Sequence, residues 1–330
     1  MNAIPANREK SVAHTCLYQG KALADYGFGE GHPFGPDRHD AFMQKAQQQG
    51  LLQHPEISLL EPLSGDESTV ELFHTKEYVQ KVRSMSKLGV GYLDQGDTPA
   101  RRGIYESAMT VVGCVVDAVN RIMTGEFNRG FVPIAGLHHA RRNSASGFCV
   151  FNDCGIAIEV LRQCYGVKRV AYVDIDAHHG DGVFYSFVED PDLCFVDFHE
   201  DGNYLYPGTG FEYETGEGLA QGSKLNICLA PGATDEQFLA RWPQAEAFLE
   251  RARPEFILLQ CGADSLGGDP ITHLQLSEQA HNYAAKRLCK IADVYASGRI
   301  LAMGGGGYNR DNLAAAWCAV LSELLESHDV

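Results

Sequence analysis

The stretch Val170-Ala171-Tyr172-Val173-Asp174-Ile175-Asp176-Ala177-His178-His179-Gly180-Asp181 decides the fold. Its first four residues are apolar and two are valine, the composition of a parallel strand buried on both faces. The run then breaks into three carboxylates and two imidazoles. In an open α/β sheet the ligand crevice lies at the carboxyl ends of the strands, so a polar cluster placed there points to chemistry. Asp176 and His178 are two apart and face the same side of an extended chain, able to grip one ion together. A helix N-terminus capped by acids would account for one aspartate. It does not account for Asp174, Asp176 and Asp181 together with two histidines.

From Gly130 onward the same pattern of strand, loop and helix repeats. Strands are expected at Phe131 to Ala135, Arg169 to Ile175, Leu193 to Phe198, Lys224 to Leu229, Phe256 to Cys261 and Arg299 to Met303. Helices fit between and after them at Cys154 to Gln163, Gly180 to Phe187, Thr234 to Arg251, Ser277 to Ser297 and Arg310 to Glu326. Nearer the N-terminus, Thr15 to Tyr18 and Ile57 to Leu60 read as short strands, and Asp40 to Gln49, Thr75 to Met85 and Ala100 to Thr124 as helices. Tyr26 to Arg38, dense in Gly, Pro and aromatics, reads as a long ordered loop in which His32 and Arg38 are the notable polar residues. Asp97, before Thr98-Pro99, is a candidate N-cap for the helix that follows. Strands alternating with helices of this length specify an α/β fold: three αβα layers around a mostly parallel sheet of about eight strands. Without repeats, low-complexity segments or long linkers, residues 1–330 are expected to form a single domain.

The 330 residues, 45% of them hydrophobic, suffice for a large core. A net charge of −16 argues against nucleic acid or an anionic membrane as partner and favours cationic substrates. Met1 to Lys10 lacks the apolar core of a secretory signal, and no apolar run reaches the ~20 residues that cross a bilayer. The ten cysteines contain no C-x-x-C pair, and most sit in apolar runs. A reducing, cytoplasmic setting is expected, with metal ligands drawn from His and carboxylate.

Four strand ends carry polar clusters: Gly136-Leu137-His138-His139-Ala140, the Asp174 to Asp181 run, Gln260-Cys261-Gly262-Ala263-Asp264-Ser265, and Met303-Gly304-Gly305-Gly306-Gly307-Tyr308. Loops leaving one edge of a sheet converge, so these can share one cleft. Asp176, His178 and Asp264 then supply three N/O ligands, the number a catalytic zinc keeps while leaving a position for water. A thiolate-free set suits Zn²⁺ or another borderline ion such as Fe²⁺. The metal would acidify a water and polarise a carbonyl. His138 and His139 would be the acid–base pair, each oriented by Asp174 or Asp181. Tyr308, on its glycine run, could donate to a developing oxyanion.

These motifs, with Ser146-Gly147-Phe148-Cys149, Phe151-Asn152-Asp153, Tyr206-Pro207-Gly208-Thr209-Gly210 and Gly268-Asp269, resemble the zinc-dependent histone-deacetylase superfamily, in the arginase/deacetylase fold. The resemblance runs from the Tyr26 loop to the last helix. Within the superfamily it is nearest to the class I and bacterial acetoin-utilisation-like branch. It implies Asp176, His178 and Asp264 as zinc ligands, His138 paired with Asp174 and His139 with Asp181, and His139 as the general base. By the same resemblance Phe148 and Tyr206 would be the aromatic walls along an acyl-lysine chain, with Gly147 and Ile271 among the substrate contacts. Asp97 would hold the substrate backbone, and Arg38, His32 and Cys149 would lie near an internal pocket behind the zinc.

The resemblance also implies monovalent cations, K⁺ or Na⁺. One would use Asp174 and the backbone of Asp176 and His178, where Asp197 replaces the Ser or Thr of many relatives and is expected to tighten binding or alter the preferred ion. A second would rely on backbone carbonyls near Phe187, Asp190 and Leu193. The related arginase-like enzymes hold two manganese ions through paired aspartates, whereas this chain has Leu266 after Asp264, which favours a single catalytic metal. The expected reaction is hydrolysis of Nε-acyl-lysine in proteins or peptides. An acetylpolyamine amidohydrolase is the alternative, and a silent acyl-lysine binder would require a lost ligand or tyrosine.

Overall fold

The structure, a computed structural model, describes residues 14–29 and 31–326. The reading of Met1 to Lys10, and Glu30 of the glycine-rich loop, lie outside the described residues. The strands are β1 (Thr15–Tyr18), β2 (Ile57–Leu60), β3 (Arg129–Val132), β4 (Val170–Asp174), β5 (Leu193–Glu200), β6 (Lys224–Leu229), β7 (Phe256–Gln260) and β8 (Ile300–Met303). The helices among the described residues are α1 (Lys21–Ala24), α2 (Asp37–Gln48), α3 (Glu67–Val70), α4 (Lys76–Leu88) and α5 (Ile104–Met123), followed by α6 (Asp153–Tyr165), α7 (Asp181–Ser186), α8 (Asp235–Ala252), α9 (Glu278–Tyr295) and α10 (Arg310–Leu325).

The strands form one sheet in the order β2-β1-β3-β8-β7-β4-β5-β6, and every neighbouring pair is parallel. The expectation of a mostly parallel sheet is therefore tightened to a fully parallel one. Continuous apolar runs on β4, β7 and β8 explain this, because each is buried along its whole length and must be covered on both faces. Helices α5 and α6 pack together in one layer; α2, α9 and α10 form the other, with α8 beside α9.

Local chemistry sets the helix ends. Thr75 caps α4 by accepting from the Tyr78 N–H, and α4 stops at Gly89 in the left-handed region. Asn152 caps α6 by accepting from the Gly155 N–H. Three expectations fail here. The third strand is Arg129–Val132 rather than Phe131 to Ala135, because Pro133 has no N–H to continue the ladder. The long helix begins at Ile104 with Gly103 before it, so Asp97 caps nothing. The glycine-rich loop is also shorter than expected, since α2 starts at Asp37.

The topology places the site. Strands β3, β8, β7 and β4 are consecutive neighbours in the sheet although they span the chain from Arg129 to Met303. Their carboxyl ends carry the four polar clusters.

Candidate active site

At the end of β4, Asp176 and His178 meet Asp264 from the end of β7. One ligand atom from each lies within 4.8 Å of the others, and all three residues are buried. His178 Nδ1 stands 3.0 Å from Asp176 Oδ1 and 3.1 Å from Asp264 Oδ2. Donors bound at about 2.0–2.2 Å around a tetrahedral ion lie about 3.3 Å apart, so this triangle fits a borderline dication held by N and O. The remaining carboxylate oxygens are fixed by main chain: Asp176 Oδ2 accepts from the Gly306 N–H at 2.8 Å, and Asp264 Oδ1 from the Ala177 N–H at 2.8 Å. A side chain at Gly306 would collide with Asp264, which is why the loop after β8 needs glycine there.

Left to protons alone, the triangle carries unbalanced negative charge. Burial works against a charged His178, yet Asp264 and Asp176 outweigh it and raise the imidazole to about 10. Burial and then the Asp176 charge push Asp264 up to about 7. Asp176, against its own burial, is held well below the carboxylate range by His138 and His178. Buried carboxylates in such numbers are stable when a cation or proton neutralises them.

The histidine doublet follows β3. His138 Nδ1 is 2.8 Å from Asp174 Oδ2, His139 Nδ1 is 2.7 Å from Asp181 Oδ1, and the two Nε2 atoms face each other at 3.1 Å. The two rings differ in charge. Burial opposes protonation of His138, but Asp174 and Asp176 prevail and raise it to about 9. For His139, burial and the neighbouring His138 charge overcome Asp181 and lower it to about 4. At neutral pH the His138 ring is charged and its Nε2–H donates to the Nε2 lone pair of the neutral His139.

Residues given no role by sequence reasoning hold this loop and the one that carries Tyr308. Asp153 accepts from the Gly136 and Leu137 N–H groups at 2.8 and 3.1 Å. Asn152, the cap of α6, donates to the His138 and Ala140 carbonyls. Gln260 donates to Asp176 Oδ2 at 2.9 Å and to the Gly136 carbonyl at 3.2 Å, joining the doublet to the triangle. Asp269 accepts from the Tyr308 N–H at 2.8 Å. The motifs contain all four, but nothing local in the sequence names their distant partners.

The triangle and the histidine doublet line a cavity of about 270 Å³ together with Tyr308, Phe148, Gly147, Tyr206, Ile271, Asp97 and Cys149. The Tyr308 ring meets Phe148 edge-on at 5.9 Å. Phe148 has φ of 66°, a left-handed conformation that side chains rarely adopt. Tyr206 lies 5.1 Å from the His139 ring, its hydroxyl 2.5 Å from Ser146 Oγ. Burial, then the neighbouring Asp94, raise Asp97 to about 6. The Asp94 loop is tied to Phe148, whose N–H donates to Thr98 Oγ1 at 3.1 Å. Arg38 lies behind, donating from Nε to the Gly307 carbonyl at 2.9 Å and from Nη2 to the Gly305 carbonyl at 2.5 Å.

Three expectations are corrected. His32 does not line the inner pocket: its ring packs 4.6 Å from Phe148 and its Nε2 is 3.2 Å from the Asp97 carbonyl, which places it at the mouth. Asp197 does not offer a free carboxylate to a monovalent ion, because Oδ2 accepts from the Gly180 N–H at 2.9 Å and Oδ1 lies 2.7 Å from His199 Nδ1. His199 Nε2 faces the Gly210 carbonyl at 2.8 Å, so both ring nitrogens meet acceptors and the imidazole is a cation within the chain. Finally, the carbonyls of Asp190 and Leu193, expected with Phe187 to ligate a second monovalent ion, accept from Lys224 Nζ at 2.7 and 3.0 Å. The Phe187 carbonyl accepts from the Asp190 N–H at 3.0 Å.

No helix among the described residues is long and apolar enough to cross a membrane. Residues 32–324 match the histone deacetylase domain. The sequence is 34% identical over 311 residues to the acetoin utilization protein AcuC of Bacillus subtilis (strain 168), covering 91% of this chain and 79% of that protein. It is 33% identical over 331 residues to histone deacetylase 19 of Arabidopsis thaliana, covering 96% of this chain and 63% of the plant protein. Among solved structures, the HD domain of HDA15 superposes with a TM-score of 0.85 at 25% identity, covering 95% of this chain and 90% of that one.

Proposed function

Since the chain belongs to the histone deacetylase family, we propose that it is a zinc-dependent amidohydrolase that cleaves the amide of Nε-acetyl-lysine, or a related acyl-lysine, in proteins or peptides. The observation that carries this reading is the meeting of three unlike parts in one cavity: the Asp176/His178/Asp264 triangle, the unequally charged His138/His139 pair and Tyr308. The triangle would hold Zn²⁺, or Fe²⁺, which when bound supplies Lewis acidity to a water and to the acyl carbonyl.

The chain's own residues would do the rest. His139, neutral and oriented by Asp181, takes a proton at Nε2 from the attacking water and returns it to the departing amine. His138, charged beside Asp174, keeps positive charge next to the reacting carbonyl. The Tyr308 hydroxyl stays protonated, since burial lifts it well above the ordinary phenol range, and it donates to the developing oxyanion. Phe148 and Tyr206, with Gly147 and Ile271, would enclose the alkyl chain, and Asp97 would meet the substrate's backbone or amine at the mouth. A single K⁺ or Na⁺ would sit by Asp174 and the main chain of Asp176 and His178. Ten cysteines, all free thiols, support a reducing, cytoplasmic setting.

A small acetylated polyamine is the second reading, favoured by the net charge of −16 and by Asp97, a cavity-lining carboxylate with Asp94 beside it. A panel of acyl-lysine peptides of several chain lengths and acetylated polyamines, assayed as kcat/KM on zinc-loaded and iron-loaded protein, separates the two. Peptide turnover well above polyamine turnover is expected, with inhibition by a hydroxamate. Loaded protein that hydrolyses neither class would sink both readings.

A further inference from the structure

Lys224 opens β6 and is 1% exposed, yet among the described residues its ammonium's hydrogen-bond partners include no carboxylate. Its three N–H donors meet three neutral oxygens: the Asp190 carbonyl at 2.7 Å, the Leu193 carbonyl at 3.0 Å and Ser223 Oγ at 2.8 Å. An ammonium has three donors, so this coordination is complete. The Asp190 carboxylate points elsewhere, paired with Arg162 and accepting from the Asp192 N–H at 2.9 Å, which leaves its carbonyl to Lys224. A lysine wanting an anionic partner would turn to that carboxylate, which belongs to the same residue. Here the turn between α7 and β5 instead presents main-chain oxygens to a cation, the donor set that alkali-metal ions use.

We infer that Lys224 is a tethered monovalent cation: its ammonium fills the carbonyl cage of the α7–β5 turn, so that this turn binds no free potassium or sodium. An ammonium donating to an oxygen and a potassium ion coordinated by one sit at closely similar distances from it, which is why one can stand for the other. The turn follows directly on the segment that carries His178 and Asp181, and it leads into the strand that carries Asp197. The tether makes the packing of that segment independent of the salt around the protein. The inference concerns structure and ion binding, and does not depend on the substrate proposed above.

Crystals of the metal-loaded protein soaked in rubidium chloride test it directly. The anomalous map of the unsubstituted protein is expected to show no rubidium bonded to the Asp190 and Leu193 oxygens, and that of Lys224→Ala to show a peak there. In solution, the unfolding midpoint of Lys224→Ala is expected to rise saturably by ~2–5 °C when potassium chloride replaces choline chloride at constant ionic strength, a component absent from the unsubstituted protein. Rubidium on those two oxygens in the unsubstituted protein overturns the inference. So does a folded Lys224→Ala that gains neither peak nor potassium-specific rise. If that variant does not fold, the unsubstituted protein still decides by its map and by whether its potassium response has one saturable phase, as expected, or two.

Discussion

The two edges of the sheet bury charge in opposite ways. At the amino ends of the strands, charges close on partners from the same chain. Arg129, at the start of β3, holds the carbonyls of Glu323, Leu324 and Glu326 at the C-terminus of α10 and pairs with Asp293 at 3.2 Å. Lys224, at the start of β6, closes on three oxygens. At the carboxyl ends of β3, β8, β7 and β4 the sum does not close: Asp174, Asp176 and Asp264 outnumber the two charged rings of His138 and His178, and pKa values move both ways from neutrality. Buried charge satisfied within the chain marks structure, and buried charge left over marks a place for a ligand.

Asp176→Asn tests the contrast most severely. Removing one carboxylate from the triangle is expected to weaken metal retention by more than ~100-fold and to abolish measurable turnover, as read by metal content after dialysis and by kcat/KM. Full retention of the metal would remove Asp176 from the site. Tyr308→Phe sharpens the same edge without touching its charge. A fall in kcat of ~10²–10³-fold is expected with metal content unchanged, and an unchanged kcat would exclude the hydroxyl from oxyanion stabilisation. At the other edge, Arg129→Met is expected to cost ~2–4 kcal/mol in denaturant unfolding, with kcat/KM and metal content unchanged at 25 °C. A loss of metal in that variant would show that the two edges are not independent.

How far the sequence could be read follows the same division. Strands β1, β2 and β6 run over the residues read from apolar pattern alone, and the triangle was legible because each of its members directly follows a buried strand. What a residue touches across the fold was not legible. Lys224 reads locally as a polar strand start, and its two carbonyl partners lie more than thirty positions away in sequence. His32 reads as a loop histidine until the fold brings the Asp97 loop and Phe148 against it. Gln260 looks like the last residue of a strand, although its amide joins two loops that leave different strands. Local pattern fixes which segments are buried; hydrogen-bond partners depend on register and loop closure, which only the assembled sheet sets.

The position of β8 bears on how the molecule is made. Seven strands are synthesised before it, yet it lies between β3 and β7, the keystone between a three-strand half and a four-strand half. While a nascent chain still holds Ile300–Met303 inside the ribosome, both β3 and β7 present an unpaired edge, and such edges recruit strands from neighbouring chains. Gly306 and Tyr308 emerge only afterwards, so the pocket stays incomplete until β8 and the loop behind it have left the exit tunnel.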